Sequence, residues 1–181
     1  MPLLFRYLIL STLSATTIRL LHRVTIAIPM SPETESRLRV RYAETDQMGV
    51  VYYANYLIWM EVGRVELCKS RGFNYRDMEI DDGVFLAVSE ANCRYRHPAR
   101  YDDEVIVRTW IESANTRMVT FAYEMRRASD DRRLATGFTR HVFVSRAMRP
   151  THLPEKYHAL LGLSPADTPP TEPLQTLNLH K

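Results

Sequence analysis

Polar and apolar residues alternate strictly along Arg37-Leu38-Arg39-Val40-Arg41-Tyr42, a period of two that predicts a half-buried strand. A loop carrying Asp46 and Gly49 follows. Leu57, Met60, Val65 and Cys68 then fall near helical spacing, which predicts a helix over Asn55 to Arg71. Asn55 is a residue type suited to an N-cap, and Gly72 stands where a helix-terminating glycine belongs. Gly63, inside this helix, costs about 1 kcal/mol relative to alanine; it points to close packing against another backbone or is merely tolerated. Four strand-like segments come next, at Val84 to Arg96, Glu104 to Ile111, Arg117 to Arg127 and Arg133 to Ser145. Val105, Val107, Thr109 and Ile111 share one face of the second, and Val119, Phe121, Tyr123 and Met125 one face of the third. Leu134, Thr136, Phe138, Val142 and Val144 are expected together on the fourth, interrupted by Arg140. Ser113-Ala114-Asn115 and Ser129-Asp130-Asp131 are polar turn signals at hairpin spacing. The order is β-α-β-β-β-β with a short helix near Glu155 to Leu161. That is an α+β domain, whose single long helix buries its apolar stripe by lying across the concave face of a curved, mostly antiparallel sheet.

This body, about residues 31–163, lies between two segments of different character. Residues 1–30 carry Arg6, Arg19 and Arg23, many Ser and Thr, and no acid. Three readings stay open: a targeting peptide, a short membrane-facing helix, or a misassigned start with translation beginning at Met30. The longest apolar run there, Tyr7 to Leu10, is far short of the ~20 residues of a membrane span. Residues 164–181 hold Pro165, Pro169, Pro170 and Pro173 in a polar setting and are expected to form a flexible tail.

Charge changes the picture only by its location. The chain has 181 residues and a formal net charge of +3, and the three leader arginines account for all of it. A neutral body lacks the basic footprint that nucleic-acid binding needs. Two cysteines, Cys68 and Cys93, exclude a disulfide scaffold and fit a reducing compartment, so a cytoplasmic location is expected, with the leader leaving targeting open.

The chemistry concentrates between Arg41 and Glu61. Asp46 sits in a loop after a strand, Gly49 permits a positive φ, and a helix begins nearby. The first turn of a helix offers unpaired N–H groups and the positive end of a dipole. A carboxylate beside such donors suits acyl transfer to water, which needs a base or nucleophile and donors aimed at the carbonyl oxygen. The alternative is that Asp46 merely closes an Asx turn.

Asp46, Gln47-Met48-Gly49, Val50-Val51, Tyr52-Tyr53, Ala54 and Asn55-Tyr56 together resemble the signature of the 4-hydroxybenzoyl-CoA thioesterase family of hotdog-fold proteins, in its YbgC-like branch. The segment Tyr95-Arg96-His97-Pro98-Ala99-Arg100-Tyr101-Asp102-Asp103 also resembles it, and the likeness runs from about Arg37 to Leu160. The resemblance implies a hotdog fold and an acyl-CoA thioesterase. Asp46 matches the family's catalytic carboxylate, as nucleophile or as base on water. Tyr53 matches the position whose backbone N–H polarises the thioester carbonyl; some members have histidine there, and this chain does not. Tyr42 matches a frequent tyrosine that bonds the carboxylate or packs. Asn55 opens the helix beside the substrate. Glu61 matches an acidic position on the central helix, expected to be buried and therefore paired or dimer-orienting; the alternative is the catalytic helix glutamate that some other hotdog thioesterases use. Arg117 stands where the family often places a cation facing coenzyme A. The resemblance further implies a homodimer or homotetramer with the site at the subunit interface.

Other constellations are empty. The histidines at 22, 97, 141, 152, 158 and 180 have no metal-ligand spacing, and His141 reads as a core or face residue. No metal or redox cofactor is implied. The sequence has no GxSxG elbow, no GxGxxG and no Walker loop. Two rival readings remain: a hotdog dehydratase or hydratase, and an acyl-CoA-binding module without turnover.

Overall fold

The computed structural model describes residues 34–164; the leader, all but Ser164 of the expected tail, and His22 and His180 lie outside them. Five strands form one sheet: β1 (Thr34–Arg39), β2 (Val84–Tyr95), β3 (Glu104–Ala114), β4 (Met118–Arg127) and β5 (Arg133–Ser145). Their order is β1-β3-β4-β5-β2 and every pairing is antiparallel. The expected β-α-β-β-β-β succession holds. One long helix, α1 (Asn55–Ser70), packs on a single face of the sheet, mainly over β1 and β3. The structure adds one helical piece that hydropathy did not announce, Tyr75–Asp77 continuing into Met78–Asp82. The expected C-terminal helix is two 3-10 turns, Glu155–Tyr157 and Ala159–Leu161.

The alternation of β3 and β4 reads out as expected. Val105, Val107, Thr109 and Ile111, with Val119, Phe121, Tyr123 and Met125, are all buried under α1. β5 does not follow the hydropathy. Residues 135, 137, 139 and 141 oppose the buried positions of β4, so the odd positions face the helix. Thr136, Phe138, Val142 and Val144 lie on the other face with Arg140. Leu134 is buried only because the register slips between Met125 and Arg126, a bulge that frees it from the alternation.

Polar side chains on the inner face of β5 bond to one another, while His141 Nδ1 has no hydrogen-bond partner among the described residues. Tyr123 Oη lies 2.7 Å from Thr139 Oγ1, which lies 2.8 Å from His141 Nε2. Burial, and then the charge of Arg64, push His141 down to about 4, so it sits in the core as a neutral imidazole. Its place as a core residue agrees with the sequence reading.

Helix α1 ends in a Schellman motif, with Phe73 N–H donating to Cys68 O at 2.8 Å and Gly72 N–H to Lys69 O at 2.9 Å. Gly63 is where the helix touches β3. A Cβ there would collide with the Thr109 hydroxyl and come within 2.9 Å of Val107 Cγ1, so the close approach is to strand side chains rather than to backbone. Gly63→Ala therefore destabilises the protein by about 1–3 kcal/mol through overpacking, despite the better helix propensity of alanine. A chemical-denaturation midpoint equal to or above wild type would refute this.

Candidate active site

The loop between β1 and α1 is held by an acid that the sequence reading passed over. Tyr42–Glu44 forms a 3-10 turn that throws Tyr42 outward and turns Glu44 inward, leaving Glu44 only 5% exposed. The Glu44 carboxylate accepts the Arg41 backbone N–H at 2.7 Å, the Arg41 guanidinium at 3.0 Å and the Trp59 indole N–H at 3.3 Å. Its backbone carbonyl accepts the Tyr52 N–H at 2.9 Å and Asn55 Nδ2 at 2.8 Å. Glu44 thus fixes both ends of the loop and the start of α1. Burial raises its pKa, but the Arg41 and Trp59 hydrogen bonds and the Arg41 charge outweigh that and hold it below the usual glutamate range.

Asp46 stands at the centre of this loop. Its N–H donates to Val50 O and its C=O accepts Gly49 N–H, each at 2.9 Å, with Gly49 at φ 71° as its position in the turn requires. Asp46 Oδ1 accepts the Met48 N–H at 2.8 Å, so an Asx turn is present. Oδ2 has no partner among the described residues. Both sequence readings of Asp46 therefore fit one geometry, with one oxygen tethering the loop and the other free.

A cavity of about 320 Å³ opens beside it, lined by Asp46, Met48, Val50, Val51, Tyr53, Tyr56, Tyr95, Arg96, His97 and Pro98. Val51 N–H donates to Ala99 O at 2.9 Å, and the buried Tyr56 hydroxyl accepts the Ala99 N–H at 3.1 Å, which pins the loop to the turn after β2. The N–H groups of Tyr53 and Ala54 find no acceptor among the described residues. They are the free donors of the helix start, and Tyr53 lines the same cavity as Asp46. His97 Nδ1 lies 2.9 Å from Arg133 O; a carbonyl can only accept, so Nδ1 carries the proton. Arg96 has no anionic partner among the described residues. No cluster of three or more His, Cys, Asp or Glu able to hold a metal occurs among the described residues.

The structure brings Asp46 and Tyr53 together and separates the other expected site residues. Tyr42 does not reach the carboxylate, because the 3-10 turn points its ring at Tyr101, edge-on with centroids 5.7 Å apart. Asn55 is the first residue of α1 rather than its cap; Ala54 occupies the N-cap position, and the Asn55 amide is used on Glu44. Glu61 is not buried within the chain. It is exposed on α1 beside Leu57, Ile58 and Val62, which are 38%, 49% and 40% exposed, and no partner for it occurs among the described residues. Arg117 lies just before β4, at the end of the sheet remote from the cavity, with its Nε 3.1 Å from His152 Nε2. The turn after β2 supplies Tyr95, Arg96 and His97 instead. Their signal was the Tyr-Arg-His-Pro segment already marked by its likeness to the family.

A single helix laid on an antiparallel sheet of order 1-3-4-5-2 defines a hotdog fold. Residues 40–166 match the family model described as the thioesterase-like superfamily, and the chain belongs to that family. It is 48% identical to YneP of Bacillus subtilis over 92 residues, covering 51% of this chain and 66% of that protein. It is 32% identical to the acyl-CoA thioester hydrolase YbgC of Escherichia coli over 84 residues, covering 46% of this chain and 62% of YbgC. The crystal structure of a DHNA-CoA thioesterase from Staphylococcus aureus superposes with a TM-score of 0.68 at 30% identity, covering 71% of this chain and 87% of that one.

The Glu44 geometry has a measurable consequence. A glutamate whose folded-state pKa is depressed stabilises the protein at neutral pH, and that contribution is lost as the pH falls through the depressed value. Glu44→Gln is expected to cost about 1–3 kcal/mol at pH 7, since it leaves buried donors poorly paired. The gap to wild type should narrow in acid, below the ordinary glutamate value of about 4.3. Urea melts of both proteins across this range check it; a gap that stays constant or widens in acid contradicts it.

Proposed function

We propose that this protein hydrolyses an acyl-CoA thioester to the free acid and coenzyme A. The observation that carries the reading is the Asp46 carboxylate, with one oxygen free, on the same cavity as Tyr53, whose N–H at the helix start is unpaired among the described residues. Substrate sits with its carbonyl oxygen on the Tyr53 N–H, where charge develops as the tetrahedral intermediate forms. Along one route Asp46 takes a proton from water while the water oxygen attacks the carbonyl carbon. The carbon–sulfur bond then breaks and the thiolate leaves to be protonated. Along the other, the Asp46 carboxylate attacks directly, expels the thiolate and forms an anhydride that water opens. Label in the Asp46 carboxylate after a single turnover in ¹⁸O-water shows the second route with water opening the anhydride at the aspartyl carbon, and hydroxylamine trapping of the anhydride at Asp46 shows that route when water attacks the acyl carbon instead. Arg96, at the cavity rim without an anionic partner, is the cation suited to the coenzyme phosphates.

The active form is a homodimer joined along β2. That strand is a sheet edge, its Val88 is 56% exposed, and edges left open invite pairing. On α1, Leu57 and Ile58 are exposed as well, with Glu61 on the same helix. Antiparallel pairing of β2 with its own copy sets the far end of one sheet beside the near end of the other. That is how Arg117 of a second copy would approach a cavity from which its own is remote. The compartment consistent with two unpaired cysteines is the cytoplasm. Among the described residues no helix is long and apolar enough to cross a membrane.

Thiol release from short aliphatic, long aliphatic, benzoyl and hydroxybenzoyl-CoA tests the reaction. Wild type turns over at least one, and Asp46→Asn falls by roughly 10³ or more, which is over 4 kcal/mol of barrier. Arg96→Gln in the same assay raises KM and spares kcat. Full activity in Asp46→Asn, or silence of wild type on every thioester, defeats the reading.

Sedimentation tests the assembly. Wild type is expected to run as a dimer or larger, and Ile58→Asp combined with Val88→Asp to run as a folded monomer with reduced turnover. A wild-type monomer of full activity rules the shared interface out.

A further inference from the structure

The Tyr53 carbonyl is engaged in an unusual way for the first turn of a helix. Its helical donor, the Tyr56 N–H, is long at 3.4 Å, while the phenol of Tyr95, the last residue of β2, donates to it at 3.0 Å. The phenol is placed by the core: the Tyr95 ring stands edge-on to Tyr56 with centroids 5.1 Å apart, and Tyr56 is itself buried and hydrogen-bonded through its hydroxyl to Ala99 N–H. All peptide bonds of the described chain are trans. In a trans peptide the N–H points opposite to the C=O, so fixing the Tyr53 carbonyl toward the strand aims the Ala54 N–H out of the helix start. That N–H is one of the two without an acceptor. A hydrogen bond to the carbonyl of a peptide also strengthens its N–H as a donor, by about 10–30% per bond.

We propose that Tyr95 is a positioning residue for thioester hydrolysis: its hydroxyl, by holding the Tyr53 carbonyl, aims and strengthens the Ala54 N–H as a second donor, beside the Tyr53 N–H, to the thioester carbonyl oxygen. The inference rests on the thioesterase reading above. It assigns the oxyanion contact to two adjacent amides, one of them tuned from the end of β2. Burial first, and Cys93 next, push the Tyr95 phenol above the usual tyrosine range, so it remains a donor throughout any ordinary assay. Its effect therefore adds no limb to the pH profile.

Tyr95→Phe keeps the ring and removes only the hydroxyl. Loss of a whole oxyanion donor typically costs 10²–10³ in rate; loss of its orientation should cost less, roughly tenfold in kcat, with KM within about twofold and the pH profile unchanged in shape. The direct readout is the infrared stretch of a ¹³C-labelled thioester carbonyl bound to Asp46→Asn protein. Relative to free thioester it should shift to lower frequency, and adding Tyr95→Phe should move it back toward the free value. Replacing Tyr95 by 3-fluorotyrosine, which retains the hydroxyl, should keep both the kcat and the shifted stretch. A Tyr95→Phe protein that melts earlier yet keeps kcat and carbonyl frequency would make Tyr95 a staple between strand and helix and overturn the proposal. Wild-type protein inactive on all thioesters would remove the thioesterase reading and this inference together. Normal wild-type turnover, an inert Asp46→Asn and an unaffected Tyr95→Phe would remove this inference alone.

Discussion

A buried carboxylate that performs no chemistry holds the candidate site in shape. Glu44 uses its side chain on Arg41 and Trp59 and its main chain on Tyr52 and Asn55, so one residue ties the end of β1 to the first turn of α1. An unpaired carboxylate buried to this degree would be costly. Pairing it with a guanidinium, a backbone N–H and an indole N–H turns that liability into a rigid joint. The Asp46 turn is suspended between the two anchored ends, and the free amides of Tyr53 and Ala54 follow directly from where the helix is made to begin.

The second constraint is the sheet edge. α1 lies mainly over β1 and β3, and the apolar residues on its exposed side, together with the outer half of β2, are left facing solvent in a single chain. Tyr95, at the end of β2, lines the cavity. Glu61 and Arg117, which the family likeness put at the site, lie apart in the single chain, Glu61 exposed on α1 and Arg117 at the end of the sheet remote from the cavity.

How much of this could be read in advance depended on whether a signal was local. The strands of β3 and β4 and the span of α1 follow from periodicities of two and near 3.6, and the Asp46 turn from a short motif, because each is set by neighbouring residues. Glu44 was invisible: its partners are 3, 8, 11 and 15 residues away, and nothing in a short polar loop distinguishes the acid that turns inward. The face of β5 departs from the hydropathy because its helix side carries Ala135, Gly137, Thr139 and His141, which add little apolar signal to the pattern. They are small where Met60 presses on the strand and hydrogen-bonded among themselves where they are polar. Asn55 was placed correctly on the helix but given the wrong task, since capping propensity describes a residue type and not the carbonyl that happens to lie within its reach.

Trp59 gives the joint an optical voice. Its indole is 2% exposed and donates to the carboxylate that anchors the loop, whereas Trp110, the other tryptophan, sits on the opposite face of the sheet. Neutralising or displacing Glu44 would change the electric field across the Trp59 ring while leaving Trp110 in unchanged surroundings. The protein thus carries an intrinsic fluorophore on the residue that anchors the loop, and in a Trp110→Phe background its emission would report the state of Glu44 without a dye and without substrate.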